Sequence, residues 1–224
     1  MQSAIESFLQ NRKDVDRLLE IHQDIGGPAR GRKWGVEVLN KAAVVLTCAI
    51  WEAFIEDLVA EGIEHLATQL KDPQKLPKAV RQVIAKAIKE DKNELSPWTL
   101  ADKGWQVVLK KNAATIVSAT AGKLNTPKSA QIKGMYSKTL GIDDVTALWT
   151  RPKLKAADAA TRLDEFITLR GAIAHRGQAA SSVTKQKAVE FLALVANLVE
   201  LTDAGARAHL KALTGYDMPR IAVL

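Results

Sequence analysis

The sequence predicts an all-α protein, a single-domain helical bundle of about six to eight helices. Apolar residues recur at steps of three and four through most of the chain, the spacing of one buried helix face. No segment sustains the apolar–polar alternation of a strand, and there is no repeat or low-complexity tract. With 224 residues, 47% hydrophobic and 25% charged, the chain is long enough to bury roughly 70% of the surface that its unfolded form exposes. The expected unit spans 1–224, with its core at about 36–204 and an N-terminal helix over 3–22 packed on that core.

The elements follow in order. Residues 3–22 carry Ile5, Phe8, Leu9, Val15, Leu18 and Leu19 as one helical stripe. The linker IGGPARGRKWG, with four glycines and a proline, ends that helix. A long second helix over about 36–70 follows; its centre, AAVVLTCAIW, is apolar on every side, as expected at the middle of a bundle. Asp72-Pro73 stops it. Residues 76–88 and 104–119 read as two further helices, each lysine-rich on one side. In LNTPKSAQIKGMYSKTLGIDD, Thr126 is the expected N-cap and Pro127 the first-turn proline. Ile132, Met135, Tyr136 and Leu140 form the apolar face there, and Gly141 is the stop. The next helix covers 156–174, with Leu163, Phe166, Ile167, Leu169 and Ile173 inward and Gly177 at its end. Ser182 or Thr184 caps a last long helix to about residue 201.

Composition narrows the function classes. A single cysteine, Cys48, excludes an intramolecular disulfide and a thiolate zinc cluster, and its apolar setting marks it as a small core residue. The four histidines lie far apart, none with a metal-type partner four residues away. No G-x-G-x-x-G, Walker loop, H-E-x-x-H or G-x-S-x-G is present. No metal and no cofactor is therefore expected. The start of the sequence lacks a secretory pattern, and Glu52, Glu56 and Asp57 interrupt the most apolar stretch, 41–60. The expectation is a cytoplasmic protein without a membrane partner.

The net charge of +7 is unevenly spread. Residues 1–70 hold 7 Lys+Arg against 11 Asp+Glu, a net −4; residues 71–140 hold 14 against 5, a net +9; the remainder is +2. A concentrated basic third suits a polyanion such as RNA, through counterion release at each neutralised phosphate. The competing reading is a solvated lysine-rich surface.

One cluster carries chemistry: Leu169-Arg170-Gly171-Ala172-Ile173-Ala174-His175-Arg176-Gly177. The row Leu163, Ile167, Arg170, Ala174 puts Arg170 on or beside the apolar seam, where an arginine is costly unless paired. His175 follows five residues later, about 140° around a regular helix. For both to meet one phosphate, the helix must end or distort at His175, or a second copy of the chain must share the site. A histidine moves protons near neutral pH and a guanidinium matches phosphate oxygens, which together suit metal-free RNA cleavage. The alternative is structural, with Arg170 paired to a buried carboxylate and His175 capping carbonyls. Glu52, which interrupts the row Val45, Ala49, Glu52, Glu56, is the natural partner of Arg170 and would fix its direction.

The segment RGAIAHRG resembles the R-x4-6-H motif of the HEPN superfamily, all-α domains of which many are ribonucleases in toxin–antitoxin and phage-defence systems. LTCAIWEAFIEDLV, residues 46–59, resembles the W-E-x-[YF]-[IL]-x-x-L helix of its RiboL-PSP-HEPN branch. LNTPKSAQIKGMYSKTLGIDDV, residues 124–145, resembles that branch's segment before the motif helix. The resemblance implies a HEPN-like bundle and a metal-independent endoribonuclease, a toxin or phage-defence effector, with RNA as partner. It also implies a homodimer with two motifs facing each other, and a neutralising protein partner. By position, Arg170 would stabilise the phosphate, His175 would act as general acid or base, and Arg176 would hold substrate. Gly171 stands where the family often has Asn or Asp. Some members are catalytically silent RNA-binding or scaffold modules, which is the alternative reading.

Overall fold

A computed structural model describes residues 3–26, 35–121, 126–176 and 182–219. Among them are eight α-helices: α1 Ala4–Gly26, α2 Glu37–Gln69, α3 Lys78–Glu90, α4 Gly104–Lys111, α5 Ala113–Ala121, α6 Ser129–Thr139, α7 Ala156–Arg176 and α8 Lys185–Thr214. Three short 3-10 turns, Pro73–Lys75, Ser96–Leu100 and Val145–Leu148, join some of them. The described residues hold no strand, only one isolated bridge between Arg151 and Leu154. The protein is an all-α bundle.

α2 is the axis. Its all-round apolarity has a direct cause: α1, α8 and α7 cover it along its length, and α4, α5 and α6 pack against it too. Trp51 and Phe54 stack at 5.8 Å, Phe8 of α1 meets Phe54 edge-on at 6.1 Å, and Trp149 meets Trp51 edge-on at 6.1 Å. These offset and T-shaped pairs suit the ring quadrupoles. All four rings are buried in one continuous cluster that also takes in α1 through Ala4, Val15 and Leu19.

Several boundaries differ from the sequence expectation. α1 runs on to Gly26; the remainder of the expected linker, 27–34, lies outside the described residues. The helix expected over 104–119 is two helices. Asn112 turns its side chain back on the Val108 carbonyl (2.8 Å), and its backbone leaves helical geometry between α4 and α5. The cap of α6 falls two residues after the expected one. Lys128, not Thr126, is its N-cap, and the terminus is satisfied by Asp164 of α7, which accepts from the Ser129 amide (2.7 Å) and hydroxyl (2.9 Å). Gly141 follows α6 at φ +74°, as a helix stop requires. Thr184 is the cap of α8, accepting from the Lys187 amide at 3.2 Å.

α8 continues to Thr214, well past the expected end near residue 201, and stops at Gly215 with φ +83°. Gly205 does not break the helix because it is a contact point. A Cβ there would stand 2.4 Å from Leu148 Cδ1, so the glycine admits the turn carrying Leu148.

Candidate functional site

α7 brings Arg170 to α2. Its buried positions are Ala159, Leu163, Ile167 and Ile173, so Arg170 sits at the edge of the apolar seam with a quarter of its side chain exposed. Ala174, expected on the inward row, is exposed. The buried row turns to Ile173 instead, following 3.6 residues per turn. Opposite Arg170, α2 presents Cys48 and Glu52 one turn apart. Arg170 Nη2 lies 3.8 Å from Glu52 Oε2, a loose ion pair whose carboxylate is itself only 24% exposed.

Electrostatics follow from that burial. Desolvation raises the Glu52 carboxyl above its ordinary value; Arg170 pulls it back down and Glu56 pushes it up. Desolvation also pushes the Cys48 thiol up to about 11, with Arg170 again opposing. A thiol so placed is a core residue and no nucleophile.

His175 is exposed, five residues beyond Arg170 and about 7.5 Å further along the axis. α7 stays helical through Arg176, with no distortion at His175. The two side chains of one chain therefore keep their separation of about 140°. The Arg176 side chain and residues 177–181, including the expected stop at Gly177, lie outside the described residues. The surface around the pair is low: Ala49 and Ala53 of α2 and Ala174 of α7 are exposed, and nothing lies within 4 Å of a Cβ built on Gly171. The N-terminal end of α2 is tied to the chain that leaves α7. Asn40 Nδ2 donates to the Val183 carbonyl (2.9 Å), and the Val183 amide donates to Glu37 (3.2 Å).

Among the described residues no cluster of His, Cys, Asp and Glu could hold a metal ion. No helix there is long and apolar enough to cross a membrane.

Sequence reasoning missed a second buried charge cluster, about two and a half turns further along α2 at Glu61. Arg207 of α8 donates to Asp203 (2.7 Å), Glu61 (3.2 Å) and the Met218 carbonyl (3.0 Å), and Glu61 also accepts from the Ala4 amide. This cluster pins α1 and the segment after α8 to the axis. Its signal was visible in principle: Asp203 and Arg207 are four apart on a helix face that also buries Ala206 and Leu210.

The three segments that carry the resemblance lie on α2, on α6 with its flanks, and on α7, and these helices pack against one another. A family model for RiboL-PSP-HEPN matches residues 7–204. The chain belongs to the RiboL-PSP-HEPN family. Comparison with curated proteins and with solved structures finds no match. Within this HEPN bundle, α2 supplies the buried aromatics and Glu52, while α7 supplies Arg170 and His175.

Proposed function

We propose that the protein is a metal-independent endoribonuclease of the HEPN type, a toxin or phage-defence effector. Its Arg170/His175 site is shared across a homodimer. The observation that carries this reading is the pairing of a guanidinium held at the seam by Glu52 with an exposed histidine on the same helix, in a chain of this family.

The chemistry balances without an added ion. One His175 takes the proton of the RNA 2′-hydroxyl as its oxygen attacks the adjacent phosphorus. The P–O5′ bond breaks, a second His175 protonates the departing 5′-oxygen, and a 2′,3′-cyclic phosphate remains. Arg170 stabilises the charge that grows on the phosphoryl oxygens, and Glu52 fixes the direction of the guanidinium. Arg176, next to the site in sequence, holds the incoming strand. The 140° separation within one helix is the reason for invoking a second copy, and the low wall of Ala49, Ala53 and Ala174 leaves room for one. A neutralising protein partner would act by covering this face.

The test is RNA cleavage in EDTA by wild type and His175→Ala, with product ends identified and sedimentation run in parallel. Cyclic phosphate ends from the wild type, lost in the variant, and a dimer at micromolar concentration are expected. Cleavage that survives His175→Ala would refute the role of His175.

A second reading rests on Gly171, which replaces the polar residue often found after the motif arginine. Under it the protein is a catalytically silent RNA-binding or scaffold module. RNA binding without cleavage by the wild type supports this reading. Cleavage gained by Gly171→Asn, whose side chain has open space, would identify the glycine as the lesion.

A further inference from the structure

We propose that the end of the bundle remote from Arg170 is a second RNA-binding surface, a track of exposed cations and one tyrosine that holds a single strand leading to the site. The identity of the polyanion rests on the ribonuclease reading; the track itself rests on the following geometry.

Two clefts lie at that end. One, of about 300 Å³, is lined by Leu70, Lys71, Asp102, Lys103, Gln106 and Tyr216. The other, of about 350 Å³, lies where the start of α3 meets the end of α6, between Pro77, Lys78, Gln82, Ser137 and Lys138. Residues 71–78 connect them and add Lys75, and Arg81 follows one turn into α3. All six cations, Lys71, Lys75, Lys78, Arg81, Lys103 and Lys138, are exposed. Among the described residues none of them lies within 4 Å of a carboxylate. Arg12, Arg17, Lys41, Arg151 and Arg207, on other faces, do have an acidic partner; Lys13, Lys153 and Lys155, like the six, have none among the described residues, but they line neither cleft. Asp72, the acid within the connecting segment, is used as a cap, accepting from the Gln74 amide at 2.8 Å.

Against Asp72 and Asp102 the six cations leave an excess of positive charge along the two clefts and the segment between them, which is complementary to a phosphate chain. Tyr216 supplies the other half of single-strand recognition. The residue is 48% exposed and its ring carries Lys71 Nζ 5.7 Å from its centroid, so an unstacked base and its phosphate find a ring and an ammonium together. A base within a duplex could not use that ring. The floor of the cleft is fixed, because Gln106 Nε2 donates to the Leu70 carbonyl at 2.9 Å and joins α4 to the end of α2. From Glu52 to Gln69 the axis of α2 spans about 26 Å. A strand rising ~3.4 Å per nucleotide covers that in about eight nucleotides.

The test uses the full chain and a fluorescent 2′-O-methyl 20-mer, which binds but is not cleaved through its 2′-oxygen, titrated by anisotropy across a salt series. Lys71→Ala/Lys78→Ala/Lys138→Ala should weaken binding at least about tenfold. It should also lower the slope of log affinity against log salt by about 2, the loss of three single-strand phosphate contacts. Tyr216→Ala should weaken binding at unchanged slope. A control triple at Lys13, Lys153 and Lys155 should leave both quantities unchanged, and all variants should keep the wild-type melting temperature. Wild-type affinity and slope in the first triple would overturn the track while leaving the ribonuclease reading intact. A wild type that does not bind the oligomer would overturn the track as well, and the EDTA cleavage assay would then judge the ribonuclease reading separately.

Discussion

Replacing Arg170 should cost the protein more stability than neutralising the carboxylate it faces, although the two form one pair. At 3.8 Å and an effective dielectric near 20, their attraction is ~4 kcal/mol before desolvation. Yet the Glu52 carboxyl is raised, with burial as the largest cause, so desolvation takes back more than the arginine supplies. The pair is close to break-even, and Glu52→Gln should change stability by no more than ~1 kcal/mol. Arg170→Ala is different. It leaves a carboxylate that is three-quarters buried, with Glu56 as its unfavourable neighbour. A fully buried stranded charge costs roughly 3–5 kcal/mol; partial exposure brings the expected loss to about 2. The double variant should recover at least about 1 kcal/mol of that loss.

The pH dependence has a definite sign. Because Glu52 is raised from 4.5 in the folded state, its contribution to stability falls as pH rises through and above that value. Arg170→Ala raises it further, so the deficit against wild type should widen between pH 5 and pH 7.5, and Glu52→Gln should abolish the widening. Urea unfolding of the four proteins at both pH values is the assay. A double variant no more stable than Arg170→Ala, or a deficit that narrows with pH, would refute the stranded-charge account.

Three further outcomes are expected. With its thiol near 11 and its side chain buried, Cys48 is ~0.03% thiolate at pH 7.5. It should therefore label with a disulfide reagent only at the rate of unfolding; rapid labelling of the folded protein would place it at an open site. His65, buried against Thr214 at 3.1 Å, is lowered from 6.5 chiefly by burial. The folded state thus binds that proton less readily than the unfolded chain, and stability should fall as pH drops below about 6.5. His65→Gln should flatten that fall, and an unchanged pH profile would exclude His65 as its source. Trp149→Phe removes the 2.9 Å bond from the indole to Thr202 and opens space beside Trp51, for an expected loss of about 2–3 kcal/mol. A loss under 0.5 kcal/mol in urea would show that the seam repacks freely.

How far the sequence alone reaches depends on the range over which each interaction acts. α2, α7 and α8 could be placed because an apolar stripe is a local property, repeated every turn. The cap of α6 could not, because its acceptor, Asp164, lies 35 residues away on another helix. Without that partner, Thr126-Pro127 is the better local signal for a helix start. The length of α8 escapes the sequence for a similar reason: Gly205 weakens a helix in isolation, but here it receives Leu148 from a turn more than fifty residues earlier. The 3-10 turns and the break at Asn112 have no periodic signature at all.

The candidate site divides along the same line. Arg170 and Glu52 could be matched across more than a hundred residues because each is a charge on an apolar helix, and such a charge demands its opposite. That demand is absent for His175, which is exposed. Nothing within the fold compels an exposed histidine to face one group or another, so its spacing to Arg170 does not by itself bring the two together. α7, by staying helical through His175, removes the one way a single copy could have done so within the helix. Under the shared-site proposal, what joins His175 to the guanidinium is a second copy of the chain, and a single chain's core packing carries no record of it.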